Sequence, residues 1–409
     1  MLKDRIHDEL LSPENLRNPY PYYAMLREEA PVYWNAKFDT WVITSYQAVV
    51  WALRHPEYFS SEVFLRDDKP PSPPISEEDF PKYKYNLDYM NNWFIRRDRP
   101  DHLRMRRTVH PVFNPKYIDN RFRAMVQGII QDLLKDFDPD GGEMDVLKDF
   151  ANAMPVLVIA NWLGMPAEDR EFIRTLSRQL LSLDQESPDR HTRVHEAITT
   201  LNDYVNPLGE ERVSEPSDDL LSVLAIGERE GDLSREEVLG NTLLLLIAGH
   251  QTTINLVGNG TMALMKNPEQ WNMLKEDDSL LVRATEELLR YDSPVKRAPR
   301  IALEDIELGG QKIREGEKVM TIINSANRDP MAFENPEDLD ITRYPNPHVA
   351  FGGGIHHCLG ANLARLEGQE AFRALTRKFP PFKFASDPDA LEYHNLLNIR
   401  GVVSLPAEW

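Results

Sequence analysis

The residues with the most chemical capacity lie in the run Phe351-Gly352-Gly353-Gly354-Ile355-His356-His357-Cys358-Leu359-Gly360, which holds the one cysteine of the chain. A lone cysteine has three readings: a buried inert thiol, a nucleophile served by a distant histidine, or a metal ligand. Its neighbours shift the weight among them. Three consecutive glycines strip the loop of side chains and permit positive φ, so the backbone can turn sharply and approach a flat ligand. Gly360, two residues on at the start of a helix, leaves amide N–H groups free to stabilise a thiolate. Phe351 can cover one side of the sulfur. A zinc site fits poorly, because three adjacent ligands cannot wrap one tetrahedral ion and a second cysteine is lacking. A dinucleotide fingerprint also fails, since the glycines are contiguous and follow a Pro-rich run rather than a clean strand.

Three other groupings have both a plain and a chemical reading. In Glu287-Leu288-Leu289-Arg290 the acid and the base are three apart on a helix and share a face; most such pairs are solvated surface contacts. In Ala248-Gly249-His250-Gln251-Thr252-Thr253 a glycine and two threonines sit mid-helix, where they are locally unfavourable. That marks either a kink at a helix crossing or a functional groove. In Asp98-Arg99-Pro100-Asp101-His102-Leu103-Arg104-Met105-Arg106, His102 and Arg106 are four apart and can reach one anion together, or they belong to a solvated basic face.

The cysteine loop resembles the F-G-x-G-x-H-x-C-x-G signature of the cytochrome P450 family, matching it at every fixed position. The resemblance implies a haem b cofactor whose iron Cys358 binds as a thiolate, pushing electron density onto the metal and favouring O–O cleavage. Phe351, Gly352 and Gly360 then surround the ligand. Glu287-x-x-Arg290 is similar to the family's E-x-x-R motif, and with Arg343 it implies a buried ionic lock beneath the loop. The 98–106 run resembles D-P-P-x-H-x-R-x-R, with Arg99 in place of a proline. By this resemblance His102 and Arg106, with Arg300 and His356, hold the haem propionates. Ala248, Gly249, Gln251 and Thr252 correspond to A-G-x-[D/E]-T-[T/S], the groove in which Thr252 serves dioxygen and relays protons. Here the chain departs from the family, because Gln251 replaces the acid. An amide can hold water but cannot exchange a proton at neutral pH. The likeness runs through essentially the whole chain and ends in the turn Leu397-Asn398-Ile399-Arg400-Gly401.

The elements that must carry these groups point to a mostly α fold with a small β-rich lobe. The resemblance makes it the P450 fold, a triangular prism with haem between a long central helix and the cysteine-loop helix. We expect one domain over 1–409, with the β-rich lobe mainly from 30–60, 298–323 and 381–405 and the helical lobe from 100–292 and 358–379. Val32–Trp34 and Thr40–Thr44 read as short strands. The segment from Glu62 to Ile95, with Lys69–Pro74 dense in proline, reads as a long irregular loop. From Pro100 to Leu264 the pattern is almost wholly helical. Arg235 to Lys266 reads as a single helix of about 30 residues, roughly 45 Å long, capped by Ser234 with Glu237 three residues on. The last helix, from about Leu359 to Lys378, presents small residues on one face: Ala361, Ala364, Gly368 and Ala371.

Composition limits the rest. A net charge of −19 over 409 residues argues against general nucleic-acid binding, which needs a basic footprint. The charged first residues and the lack of a long apolar run argue against a secretory leader or membrane anchor. With a single cysteine and no internal disulfide, the cytoplasm is the expected compartment. The implied reaction is insertion of one oxygen atom from O₂ into a largely apolar small molecule, C–H hydroxylation foremost. Leu244, Leu245, Val295, Ala298, Leu396, Leu397 and the Leu180–Leu183 helix end are the candidate pocket walls. Electrons would come from a ferredoxin- or flavodoxin-type donor, docked on Arg96, Arg97, Arg104 and Arg107 and released by salt. Rival readings are a peroxide-driven or isomerising enzyme of the same fold, a haem sensor or carrier, and a cysteine hydrolase.

Overall fold

The computed structural model describes residues 9–67, 75–181 and 189–409. Lys69–Pro74 and the side chains of Leu180–Leu183 lie outside the described residues. The helices that matter below are α1 (Tyr46–Arg54), α2 (Phe80–Met90), α3 (Asp101–Val109), α4 (Arg190–Ser214), α5 (Arg235–Ala248), α6 (Gln251–Lys266), α7 (Leu281–Tyr291) and α8 (Ala361–Lys378). The chain forms two compact units. The first comprises the described parts of Met1–Ser60, Arg121–Met154 and Thr252–Trp409; the second comprises those of Ser61–Asn120 and Pro155–Gln251.

Every described strand belongs to the first unit. Its main sheet is built from β1 (Val32–Asn35), β2 (Thr40–Ile43), β3 (Phe59–Ser60), β4 (Arg297–Ala302) and β5 (Lys318–Ile322), in the order β1-β2-β5-β4-β3. β1 and β2 form a hairpin in which Trp34 pairs with Trp41, their rings 5.6 Å apart edge to face. β2 runs parallel to β5, and β4 antiparallel to it. β5 is central and reads Lys-Val-Met-Thr-Ile, its last four residues buried, as a strand covered on both faces should be. α1 lays Ala48, Val49, Ala52 and Leu53 into the core beside Val32, Ile43, Phe59 and Val319, an apolar stripe at helical spacing.

α6 is buried nearly all round, from Thr253 to Met265. Helices can reach it closely only where side chains are missing. A Cβ on Gly260 would stand 2.5 Å from the Phe372 ring of α8.

The second unit contains only helices among its described residues. The segment expected to be one irregular loop holds a short helix, Val63–Arg66, and the full α2. The proline argument fails there for a local reason: Pro81 occupies the first turn of α2, where its missing N–H has no helical partner to lose. Asn86 Nδ2 donates to His191 O at 2.9 Å and Tyr89 Oη to Asn202 Oδ1 at 2.7 Å, fixing α2 against α4.

The expected single helix 235–266 is instead two, α5 and α6, separated by Gly249 and His250. Its start is as read: the Ser234 hydroxyl accepts from Glu237 N, and the Glu237 carboxylate accepts from Ser234 N. At the break, His250 N donates three residues back to Ile247 O at 3.2 Å, the tighter pattern of a 3₁₀ turn. The short strand Glu143–Asp145, in a stretch read as helical, was also not anticipated. No helix among the described residues is long and apolar enough to cross a membrane.

Candidate active site

In the first unit the cysteine loop is a rigid turn. Gly352 and Gly354 have φ of 70° and 63°, a region that side-chain-bearing residues enter at a cost. At Gly354 the need is also steric, because a Cβ would lie 2.5 Å from Leu53 O at the end of α1. Cys358 N donates to Phe351 O at 2.9 Å, closing the loop, and Gly360 caps α8. The thiol is exposed at the end of this turn.

Beneath the loop lies a buried ionic cluster. Arg290, wholly buried on α7, forks onto Glu287 with Nε to Oε2 and Nη2 to Oε1, both at 2.8 Å. Its remaining N–H groups donate to Asn327 O, Pro336 O and Asp338 O. Arg343 Nε reaches the same carboxylate at 3.1 Å, as does Asn346 Nδ2. Every acceptor site of Glu287 is used, which is the condition under which a buried pair is tolerated.

A second cluster adjoins the first and was not singled out in the sequence. Arg365 of α8 forks onto Glu286 at 2.7 and 2.9 Å, and His348 Nε2 lies 3.1 Å from the same carboxylate. Burial alone would push the Glu286 carboxyl up, but His348 and Arg365 reverse that and hold it down at about 2. The Arg365 guanidinium also lies 4.5 Å over the Phe351 ring, a cation–π contact that fixes this ring. The faint signal in the sequence was the doublet Glu286-Glu287, one carboxylate for each cluster.

Arg300 is buried on β4, and His356 lies half-buried in the loop. Arg297, at the start of the same strand, was not anticipated: its Nε is buried and has no hydrogen-bond partner among the described residues. On α6, Thr252 is half-buried, and Thr253 donates to the fully buried carboxyl of Glu367 at 3.1 Å. Val295 and Ala298 pack against the sheet core, and Leu397 against the cluster of Tyr20, Tyr23 and Leu26. Leu396 is half-buried.

In the second unit His102 is buried on α3, and burial followed by the Arg106 charge pulls its imidazole down to about 4. Arg96 lies over the Phe64 and Trp93 rings, and burial lowers it to about 10. Arg96 Nη1 and Arg97 Nε are buried without partners among the described residues. Arg104 is engaged: it forks onto Glu237 at 2.7 and 2.8 Å and reaches Asp101 at 3.1 Å. Two of the four arginines expected to dock a donor are thus committed within the fold. Leu244 and Leu245 are buried on α5, Gly249 and Gln251 are half-buried, and Ala248 is exposed, which is unusual on so apolar a helix.

Among the described residues no trio of His, Cys, Asp or Glu gathers to hold a metal ion. Cys358 therefore offers a single thiolate donor, which would suit the iron of a porphyrin. In the first unit Arg297 Nε, and in the second Arg96 Nη1 and Arg97 Nε, are buried without acceptors among the described residues, and each by itself suits a carboxylate brought in by a bound group. The residues present fit haem.

The cytochrome P450 family model matches residues 28–398. The chain belongs to the cytochrome P450 family. It is similar to the polyketide biosynthesis cytochrome P450 PksS of Bacillus subtilis (strain 168), 35% identical with 95% of each chain covered. It is similar also to the vitamin D(3) 25-hydroxylase of Pseudonocardia autotrophica, 38% identical over 98% of this chain and 96% of the other. Among solved structures, P450BioI in complex with an acyl carrier protein ligated to hexadec-9Z-enoic acid superposes with a TM-score of 0.86, at 34% identity over 97% of this chain and 99% of that one. The fold is that of a P450, the cofactor is haem b, and the enzyme is a P450 monooxygenase, an oxidoreductase.

Proposed function

We propose that this P450 hydroxylates a C–H bond of a largely apolar small molecule, using O₂ and electrons from a separate ferredoxin- or flavodoxin-type donor in the cytoplasm. The observation that carries the reading is the exposed Cys358 thiol at the tip of a glycine turn, which Leu53 backs at Gly354. Bound haem supplies the activation of dioxygen and the oxidising power. Cys358 holds the iron, and the loop amides and the start of α8 keep its sulfur ionised. Arg300, His356, His102 and Arg106 hold the propionates, with Arg297 a further candidate. Glu287, Arg290 and Arg343 keep the loop rigid.

Thr252 and Gln251 hold water beside the reacting centre, with Ala248 and Gly249 leaving room on the helix. Gln251 cannot itself release a proton, so Thr252 and ordered water carry the relay. The related proteins include a polyketide enzyme, a vitamin D hydroxylase and a fatty-acyl complex. That range agrees with the apolar candidates Leu244, Leu245, Val295, Ala298, Leu396 and Leu397. The reduced protein treated with carbon monoxide should show the red-shifted Soret band of a thiolate ligand, and C358S should lose it. A wild-type protein without that band, or turnover by peroxide with none from donor plus O₂, would overturn the reading.

A further inference from the structure

The Glu286 carboxylate reaches the cysteine loop by two arms. Arg365 forms the first, with Nε on Oε1 at 2.7 Å and Nη2 on Oε2 at 2.9 Å, and lays its guanidinium 4.5 Å over the Phe351 ring. His348, buried, forms the second. Its Nδ1 accepts from Ala350 N at 3.2 Å, so the ring proton sits on Nε2 and is donated to the carboxylate at 3.1 Å. The Phe351 ring also lies 6.0 Å from the His348 ring and 6.2 Å from that of His357. Phe351 O is the acceptor for Cys358 N. Both arms therefore end on the residue that closes the loop around the sulfur. A long, part-exposed arginine could have carried its charge out to water. Here the fork on Glu286 fixes the plane of the guanidinium, and the ring fixes its face, two constraints that a lysine could not satisfy together.

We propose that Arg365 is a positioning residue that acts on Cys358 through Phe351: its fixed positive charge sets how readily the bound iron is reduced, and Glu286 and His348 aim it. This rests on Cys358 as the ligand of the iron and deepens that reading. A cation close to a thiolate favours the state that carries the extra electron, and groups just beyond a metal's own ligands adjust its potential in this way. Glu286 carries the opposite charge and counters Arg365. The sign of the effect therefore depends on which partner is neutralised. Without the arginine's charge the carboxylate stands uncompensated, and the reduced state is disfavoured. Without the carboxylate's charge the guanidinium stands unopposed, and the reduced state is favoured. A pair that merely braced the loop would behave otherwise, because either loss would loosen the same turn and move the potential in the same direction.

The test measures the one-electron midpoint potential of the haem-loaded, substrate-free enzyme and of R365Q, R365K and E286Q, with the reduced carbon monoxide band recorded on each. At a fixed applied potential R365Q should lower the ratio of reduced to oxidised protein at least about threefold and E286Q should raise it by a similar factor, where tenfold corresponds to about 59 mV. R365K, which keeps the charge, should stay nearer the wild type than R365Q does. The Glu286 and Arg365 side chains are 23% and 30% exposed, so water can reach the partner left behind and the fold should survive. Should R365Q fail to retain haem, R365M is equally neutral and should shift in the same direction. Shifts of one sign in R365Q and E286Q, or potentials unmoved in both, would overturn the proposal. A wild type with the thiolate band and variants with unmoved potentials would sink the part given to Arg365 alone; a wild type without the band would remove the ligand on which it rests.

Discussion

Glu367 shows how one carboxyl can set a pH dependence for the fold. It is 1% exposed on α8, and Thr253 Oγ1, at 3.1 Å, is its hydrogen-bond partner. Burial lifts it from 4.5 to about 8, and the Thr253 hydroxyl only partly offsets that. At neutral pH the group is therefore mostly protonated, a neutral acid in an apolar setting. The folded state binds one proton more than the unfolded chain between those two values, so stability falls as pH rises through that window. Below the unfolded value the contribution is complete, and above the folded value it is gone. E367Q keeps the shape and removes the titration. Denaturant midpoints measured from pH 5 to 8.5 should fall with pH in the wild type and stay flatter in E367Q, by an amount on the order of a few kcal/mol at the alkaline end. Parallel curves would show that Glu367 is ionised throughout.

At the scale of elements, the cysteine loop depends on the segment beneath it. Glu287 and Arg290 are both wholly buried, and Arg343 shares the carboxylate. E287Q would leave two guanidinium groups facing an amide, and breaking a buried pair of this kind costs about 3–5 kcal/mol. Urea unfolding together with the haem content of the purified protein should show both losses. D305N, which breaks an ion pair to Lys312 whose partners are 52% and 62% exposed, should leave the urea midpoint essentially unchanged, because solvent screens such a pair. If the two variants behaved alike, the cluster would carry no special weight. The spacing of Glu287 and Arg290 is legible because both lie on one helix, three residues apart. Arg365 and His348 are not, because they meet Glu286 from 79 and 62 residues away in sequence. The break at Gly249–His250 was half legible: the glycine and two threonines there allowed a kink, but helical spacing resumes from Ile254 and nothing local says that the helix stops and restarts. α2 was hidden by prolines that lie just outside it or in its first turn.

At the scale of the whole molecule, charge decides how a donor approaches. The mostly α character, the first two strands of the main sheet and the capping of α5 follow from pattern alone, because each is set by local spacing, whereas β3, two residues long, leaves no such pattern. The basic docking patch does not, since sequence shows which residues are charged and not which are already spent. Arg104 is held by Glu237 and Asp101, and Arg96 lies over the Phe64 and Trp93 rings and is half-buried, while Arg107 stays exposed. The expected attraction for an acidic donor is weakened accordingly, and a net charge of −19 stands against it. At about 0.01 M salt the Debye length is roughly 30 Å, so most of that charge acts on an approaching partner; at about 0.15 M it is roughly 8 Å, and only groups at the point of contact count. Reduction by an acidic ferredoxin, followed by stopped flow, should therefore become faster as salt is raised through this range, the reverse of a steered encounter. R107E should slow it at every salt concentration. A rate that falls steadily with salt would mean that a local basic surface outweighs the charge of the molecule.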